Sequence, residues 1–253
     1  MHVEVSGEGA AAMLLLHGMG ATGAVWRRAV AALDEVWDGA VVVCDLPGHG
    51  ASSPLAQYTY DAVSAAVAEC LPGCERLVVA GHSFGGMIAV HLASGRYGVT
   101  PAAVVATGVK VRWTADELAG MAAFASKPAR LFDTFDEAQD RYRRVSGLTR
   151  DVTDDDADLA RGVVGDGDRF RLSQDPASGG VGEPDMAAAL ASARCPVLLS
   201  RGVTDWMVSD DDLAAYGAPT STIGEAGHNA HVEQPARFAR GVVEFAASVS
   251  SPS

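Results

Sequence analysis

Lysine is almost missing from this chain: Lys110 and Lys127 are the only two among 19 basic residues, set against 32 acidic ones. The resulting formal charge of −13 repels nucleic-acid phosphates and anionic bilayers, so neither is an expected partner. Long apolar runs are lacking too. Met13–Leu16 is far short of the roughly 20 residues that a membrane span requires. The opening MHVEVSGEG has neither the basic start nor the apolar stretch of a secretory signal, which leads us to expect a cytoplasmic protein. Cysteine is sparse: Cys44, Cys70, Cys74 and Cys195 form no C-x-x-C pair, so thiolate metal sites and redox motifs are not expected. They read as free thiols of a reducing compartment, with a local Cys70–Cys74 bridge as the alternative. The acidic stretch Asp151–Asp158 lacks the glycine and terminal glutamate of a calcium loop and reads as a solvated helix start. No metal and no cofactor is expected. There is no internal repeat, and only the tail Ser248–Ser253 reads as disordered.

What is present is globular. Apolar residues make up 48% of the chain and charged ones 20%, enough to build a large core over 253 residues. His2–Ser6 reads as an edge strand. Met13–Leu16, Ala40–Cys44, Leu77–Ala80, Ala102–Thr107, Pro196–Ser200 and Ser221–Ile223 read as buried strands, with helices at Ala24–Leu33, Tyr60–Leu71, Asp210–Tyr216 and Pro235–Ala247. Strands alternating with helices imply βαβ crossovers and a mostly parallel sheet covered on both faces. The rhythm breaks from Trp113 to about Asp185, where charged helix-like stretches, clearest at Ala115–Ala125 and Phe135–Val145, take over. Because the rhythm then resumes, this block reads as an insertion.

The sharpest local signal is Gly81-His82-Ser83-Phe84-Gly85, between a buried strand and a helix. A G-x-S-x-G in that setting is a nucleophile elbow, whose tight turn lifts a serine hydroxyl out of the sheet. A serine hydroxyl needs a base during attack, and a neutral imidazole needs a carboxylate on its other nitrogen. The order Ser83, Asp205, His228 supplies both from later loops. Asp210, Asp211 and Asp212 compete for the acid, but only Asp205 closely follows a strand, and Ala106-Thr107-Gly108 offers no acid after the earlier one. His231 competes with His228 and reads better as an anchor for the closing helix. His17, His49, His82 and His91 read as supporting or packing residues, His17 being also a candidate for the pocket.

Motifs along nearly the whole chain resemble the α/β-hydrolase family: L-L-L-H-G-x-G at Leu14–Gly20, D-x-P-G-H-G-x-S at Asp45–Ser52, G-H-S-x-G-G at Gly81–Gly86, G-x-x-D at Gly202–Asp205 and G-H-x-x-H-x-E-x-P at Gly227–Pro235. The resemblance implies an α/β-hydrolase fold of about seven or eight strands. Ser83 would be the nucleophile, His228 the base and Asp205 the orienting acid, with the backbone N–H groups of Met19 and Phe84 as the oxyanion hole. It also implies a helical cap, residues 112–185, inserted after the sixth strand, with 1–111 and 186–253 forming the core. Many relatives begin with a hairpin before the strand that leads into the H-G loop, and here only one edge strand is available, so the sheet is expected to be one strand short of eight.

Trp113, Leu118, Met121, Phe124, Leu131, Phe132 and Phe135 give the insertion apolar surface. Together with Trp206, beside the acid, Trp113 and Phe124 are the candidates for lining a hydrophobic small-molecule pocket. Arg141, Arg143 and Arg144 read as solvated partners of neighbouring acids rather than as contacts for an anionic substrate. The expected function is hydrolysis of a small carboxylic ester or lactone through an acyl-enzyme. The alternatives are C–C or thioester hydrolysis by the same triad and, from another class, a catalytically silent binding module. Epoxide hydrolase and dehalogenase relatives carry an aspartate where Ser83 stands. Neither substrate identity nor oligomeric state is legible.

Overall fold

The computed structural model describes residues 1–249 apart from 151 and 154. Its first half alternates as expected: β1 (Val3–Ser6), β2 (Ala11–Leu16), a short 3-10 helix (Gly23–Trp26) running into α1 (Arg27–Leu33), β3 (Ala40–Cys44), α2 (Tyr60–Glu69), β4 (Arg76–His82), α3 (Phe84–Leu92) and β5 (Ala103–Thr107). The chain then leaves the sheet through α4 (Ala115–Ala125), α5 (Phe135–Ser146), α6 (Asp156–Leu159), the strands β6 (Val163–Asp166) and β7 (Arg169–Leu172), and a 3-10 helix at Pro176–Val181. It returns through α7 (Met186–Ser192), β8 (Val197–Gly202), α8 (Asp210–Ala214), β9 (Thr220–Ile223), α9 (Ala230–Glu233) and α10 (Pro235–Ser248).

The main sheet has seven strands in the order β1-β3-β2-β4-β5-β8-β9, with β1 antiparallel to β3 and every other pair parallel. Strand alternation divides the core in two. Leu14, Leu16, Val42, Val79, Val104 and Leu199 face α2, α3, α7 and α8, whereas Met13, Leu15, Val41, Val78, Val105 and Leu198 face α1 and α10. The central strands are thus apolar on both sides, which is why they read as unbroken hydrophobic runs. In register, Leu16 pairs with Gly81, His82 with Thr107, Thr107 with Ser200, and Gly202 with Ile223. The loops carrying the candidate residues therefore leave the same edge of the sheet.

Three expectations need correction. The insertion follows the fifth strand of this chain, since one fewer strand precedes it. It is also not wholly helical, because β6 and β7 form an antiparallel hairpin. Their residues are half-buried or exposed, so they lack the apolar run of a sheet strand. Finally, Ser248 belongs to α10, while 250–253 of the expected tail lie outside the described residues. All four cysteines are free, including Cys70 and Cys74. No helix among the described residues is long and apolar enough to cross a membrane.

The insertion is fastened to the sheet by buried polar contacts. Tyr142 Oη lies 2.9 Å from Thr22 Oγ1, both fully buried. Arg27 Nε donates to the buried Asp158 (2.5 Å) and Arg27 Nη2 to Asp155 (2.6 Å). In the acidic stretch, then, Asp155 caps α6 and Asp158 is an internal partner; 151 and 154 lie outside the described residues. Arg143 is likewise buried, donating to the carbonyls of Leu148 and Thr153, and is not the solvated residue expected. Asp45, fully buried, accepts from the amides of Gly23 (2.7 Å) and Ala51 (2.9 Å) and faces Arg161 Nε at 3.1 Å.

Removing that carboxylate leaves the buried Gly23 amide without its acceptor, frees the Ala51 amide, and takes from Arg161 one of its two acids, Glu4 being the other. A hydrogen bond to a charged group contributes about 1.5–3 kcal/mol, so Asp45→Ala should lower the unfolding free energy by about 3 kcal/mol or more. Urea denaturation checks this through a shifted midpoint at unchanged slope. A wild-type midpoint would show that the carboxylate does not hold the loop.

Candidate active site

The turn from β4 into α3 puts Ser83 at φ 50°, ψ −113°, a backbone state that non-glycine residues avoid and that persists where surroundings enforce it. The Ser83 amide donates to Thr107 O at 2.8 Å, tying the turn to the neighbouring strand. Clearance is the second constraint. A Cβ on Gly81 would sit 2.2 Å from Gly85 O, and one on Gly85 would sit 2.3 Å from Leu16 O. Both glycines of the motif are therefore needed for space. The amides of Phe84, at the first turn of α3, and of Met19, in the loop after β2, have no acceptor among the described residues.

Asp205 and His228 meet because β8 and β9 pair and their following loops cross closely. Thr204 N donates to Ala226 O at 2.9 Å, and a Cβ on Gly202 would lie 2.1 Å from Gly227 O. Both carboxylate oxygens of Asp205 stand 3.1 Å from His228 Nδ1, the carboxylate being fully buried and the imidazole nearly so. Asp210, Asp211 and Asp212 lie instead in the first turn of α8, and Asp212 is taken by the Ser209 cap. Gly108, one residue past the carbonyl that receives the Ser83 amide, is where a Cβ would lie 3.3 Å from the His228 ring. The imidazole thus stands over the same strand end as the serine. Glu233 holds the His228 loop, accepting from the amides of Gly227 (2.6 Å) and Asn229 (3.2 Å). Its place in the G-H-x-x-H-x-E-x-P motif was visible, but its clasp was not anticipated.

Under these groups lies a layer of buried imidazoles. His17 Nε2 accepts from Leu46 N (2.9 Å) while Nδ1 donates to Gly18 O (2.8 Å), and His49 Nε2 accepts from Gly20 N (3.1 Å). His82 Nε2 donates to His228 O at 2.9 Å. His231 is packed between Trp26, at 4.3 Å between ring centroids, and Phe238, as an anchor for the closing helix should be. His91, less deeply buried, stacks on Tyr60. Burial holds all four of His17, His49, His82 and His231 below the ordinary imidazole pKa, His49 at about 4 and His231 at about 3.

Ser83 opens onto a cavity of about 320 Å³ walled by Met19, Phe84, Met87, Val109 and Met207, with Trp113, Leu118 and Met121 from the insertion. Of the residues expected to line it, Trp113 does. Phe124 borders the adjoining groove. His17 does not line it, because it is fully buried with both nitrogens engaged in the loops below. Trp206 does not either, being 81% exposed. Asp205 Oδ1 accepts from Met207 N at 2.9 Å, and it is Met207 that reaches the cavity.

A model of the Alpha/beta hydrolase family matches residues 13–241. The chain belongs to the alpha/beta hydrolase family. Among relatives, it is 30% identical over 240 residues to a 2-succinyl-6-hydroxy-2,4-cyclohexadiene-1-carboxylate synthase of Pectobacterium atrosepticum, covering 92% of each chain. It is 35% identical to the lipase LipV of Mycobacterium tuberculosis over 161 residues, an alignment spanning 60% of this chain and 57% of the lipase. A solved alpha/beta hydrolase neighbour, a thioesterase domain from the curacin biosynthetic pathway, superposes with a TM-score of 0.76 at 20% identity over 95% of this chain and 94% of its own, a likeness of fold.

The imidazole layer gives this alpha/beta hydrolase a defined acid response. Unfolded histidines protonate near pH 6.5, whereas the folded ones stay neutral until well below it, so the unfolded state binds more protons in between. Stability is therefore full above about pH 6.5 and falls as the pH drops toward the folded values of about 4 for His49 and about 3 for His231. Melting temperatures from pH 8 to pH 4 should decline below about 6.5, and His231→Phe should make that decline shallower. An unchanged slope in the variant would exclude His231 from the effect.

Proposed function

We propose that the chain is a serine hydrolase of small, hydrophobic carboxylic esters or lactones, acting through an acyl-enzyme. Ser83 Oγ attacks the substrate carbonyl while His228 Nε2 takes its proton. Asp205, on His228 Nδ1, holds the tautomer and stabilises the imidazolium. The Met19 and Phe84 amides, otherwise unspent, donate to the oxyanion of the tetrahedral intermediate. Collapse expels the alcohol, which receives the proton from His228. Water, deprotonated by the same imidazole, then releases the acid and restores Ser83. The reading is carried by one observation: Ser83, on a strained backbone, borders an apolar cavity that Met19 and Phe84 also wall, beside the His228–Asp205 pair. In this reading 112–185 is the cap that keeps water from the acyl group, and 1–111 with 186–253 is the catalytic core. Four free cysteines support a cytoplasmic setting.

A second reading keeps the same residues but changes the bond to a C–C bond or a thioester. It is favoured by the relative that aligns over 92% of the chain, which is named as a synthase and not as an esterase.

Fluorophosphonate should label the wild type and leave Ser83→Ala unlabelled. Across a panel of acyl esters and lactones, Ser83→Ala and His228→Ala should each lower kcat by roughly 10⁴-fold or more, while His231→Phe keeps most of the activity. An unlabelled wild type sinks both readings. A labelled serine without ester or lactone turnover selects the second.

A further inference from the structure

Met19 and Met121 border two cavities at once: the one at Ser83 and a groove of about 470 Å³ on its far side. The groove takes Lys127, Arg130 and Arg141 from the insertion, and no Asp or Glu lines it. In a chain with 32 acidic residues against 19 basic ones, three cations without a carboxylate run against the composition. Of the nearby acids, Asp133 pairs with Arg169 (2.8 Å) and Asp140 with Arg150 (3.4 Å). Asp133, Glu137 and Asp140 face an adjoining groove with Arg144 and Arg169; Arg130 borders both, lying 4.8 Å over the Phe132 ring. Among the described residues Lys127 and Arg141 have no ion-pair partner. The floor is polar as well. Gln174, buried, donates from Nε2 to Ser178 Oγ at 3.1 Å, and that hydroxyl touches Met19 Sδ at 3.3 Å. The groove wall is thus linked to the loop that carries the Met19 amide.

Clustered like charges around a half-enclosed apolar channel repel one another and attract an anion. We infer that the groove is an anion subsite of the Ser83 cavity, taking a carboxylate or phosphate at the far end of a substrate whose apolar stem crosses Met19 and Met121. The inference rests on the serine hydrolase reading and narrows its substrate class to amphiphilic esters with a distal negative charge. A bare apolar ester fills the first cavity only.

The test uses nitrophenyl esters of equal chain length ending in methyl, carboxylate or phosphonate, and a matching series with the tail on the alcohol side. Wild type should favour an anionic tail over methyl in kcat/KM by about tenfold or more, less at high salt. In the triple variant Lys127→Gln/Arg130→Gln/Arg141→Gln the anionic-to-methyl ratio should fall to near one through KM. Whether carboxylate or phosphonate ranks first identifies the anion. No anionic preference in either series, or one that survives in the variant, overturns the inference. The free anion-tailed acids are also titrated by calorimetry into the Ser83→Ala protein. Binding lost in the triple variant supports the subsite even if no ester turns over, and absence of binding overturns it. Failure of fluorophosphonate labelling, by contrast, strikes the serine hydrolase reading alone.

Discussion

Three stretches of backbone converge at the end of β4 with no room for one more carbon. The β2 terminus lies against Gly85, the start of α3 lies against Gly81, and Ser83 between them is held at φ 50°. Strain of this kind costs on the order of 1–3 kcal/mol and survives only when packing around it is stiffer than the turn itself. The stiffness comes from β2, β4 and β5, apolar on both faces and buried in both half-cores. The sheet acts as an anvil: its central strands fix the ends of the loops, and the loops have little freedom left to place their side chains.

The imidazole layer extends that rigidity sideways. His17 ties the β2 loop to the amide of Leu46, His49 ties the loop after β3 back to Gly20, and His82 grips the carbonyl of His228. A neutral imidazole suits this work because it carries one donor and one acceptor, and His17 and His49 use both on backbone. Protonation would turn the acceptors of His17 and His49 into donors facing N–H groups. His17, His49 and His82 are thus cross-links between loops, and His17 and His49 depend on keeping a single tautomer.

Much of this was legible in the residues because it is local or repetitive. Unbroken apolar runs marked the strands, glycines marked the tight turns, and the order Ser83, Asp205, His228 followed from which loops end strands. What was not legible is set by tertiary contact. The β6–β7 hairpin escaped because its residues stay half-exposed and need no apolar run. Trp206 stands beside Asp205 in sequence, yet that carboxylate binds the Met207 amide, and Met207 reaches the cavity instead. Arg143 carries a charge that suggested solvent, but two backbone carbonyls of its own segment accept from it inside the protein. For Asp205 and Arg143 the deciding contact is a hydrogen bond with backbone, invisible to composition or periodicity.

One helix stands apart from this stiffness. Helix α4 has a capping box between Thr114 and Glu117 but not one buried residue, and it rests chiefly on the 3-10 helix at Pro176–Val181. Isolated helices of this length are marginal in water, so its persistence depends on caps and a thin contact rather than on the core. The groups around Ser83 and the roof above them are therefore stabilised separately. Few buried contacts of this kind are what marks segments that open at low free-energy cost in folded proteins. The helix supplies Leu118 and Met121 to the Ser83 cavity, so a change within Ala115–Ala125 alters one wall of that cavity while the packing beneath the elbow stays as it is.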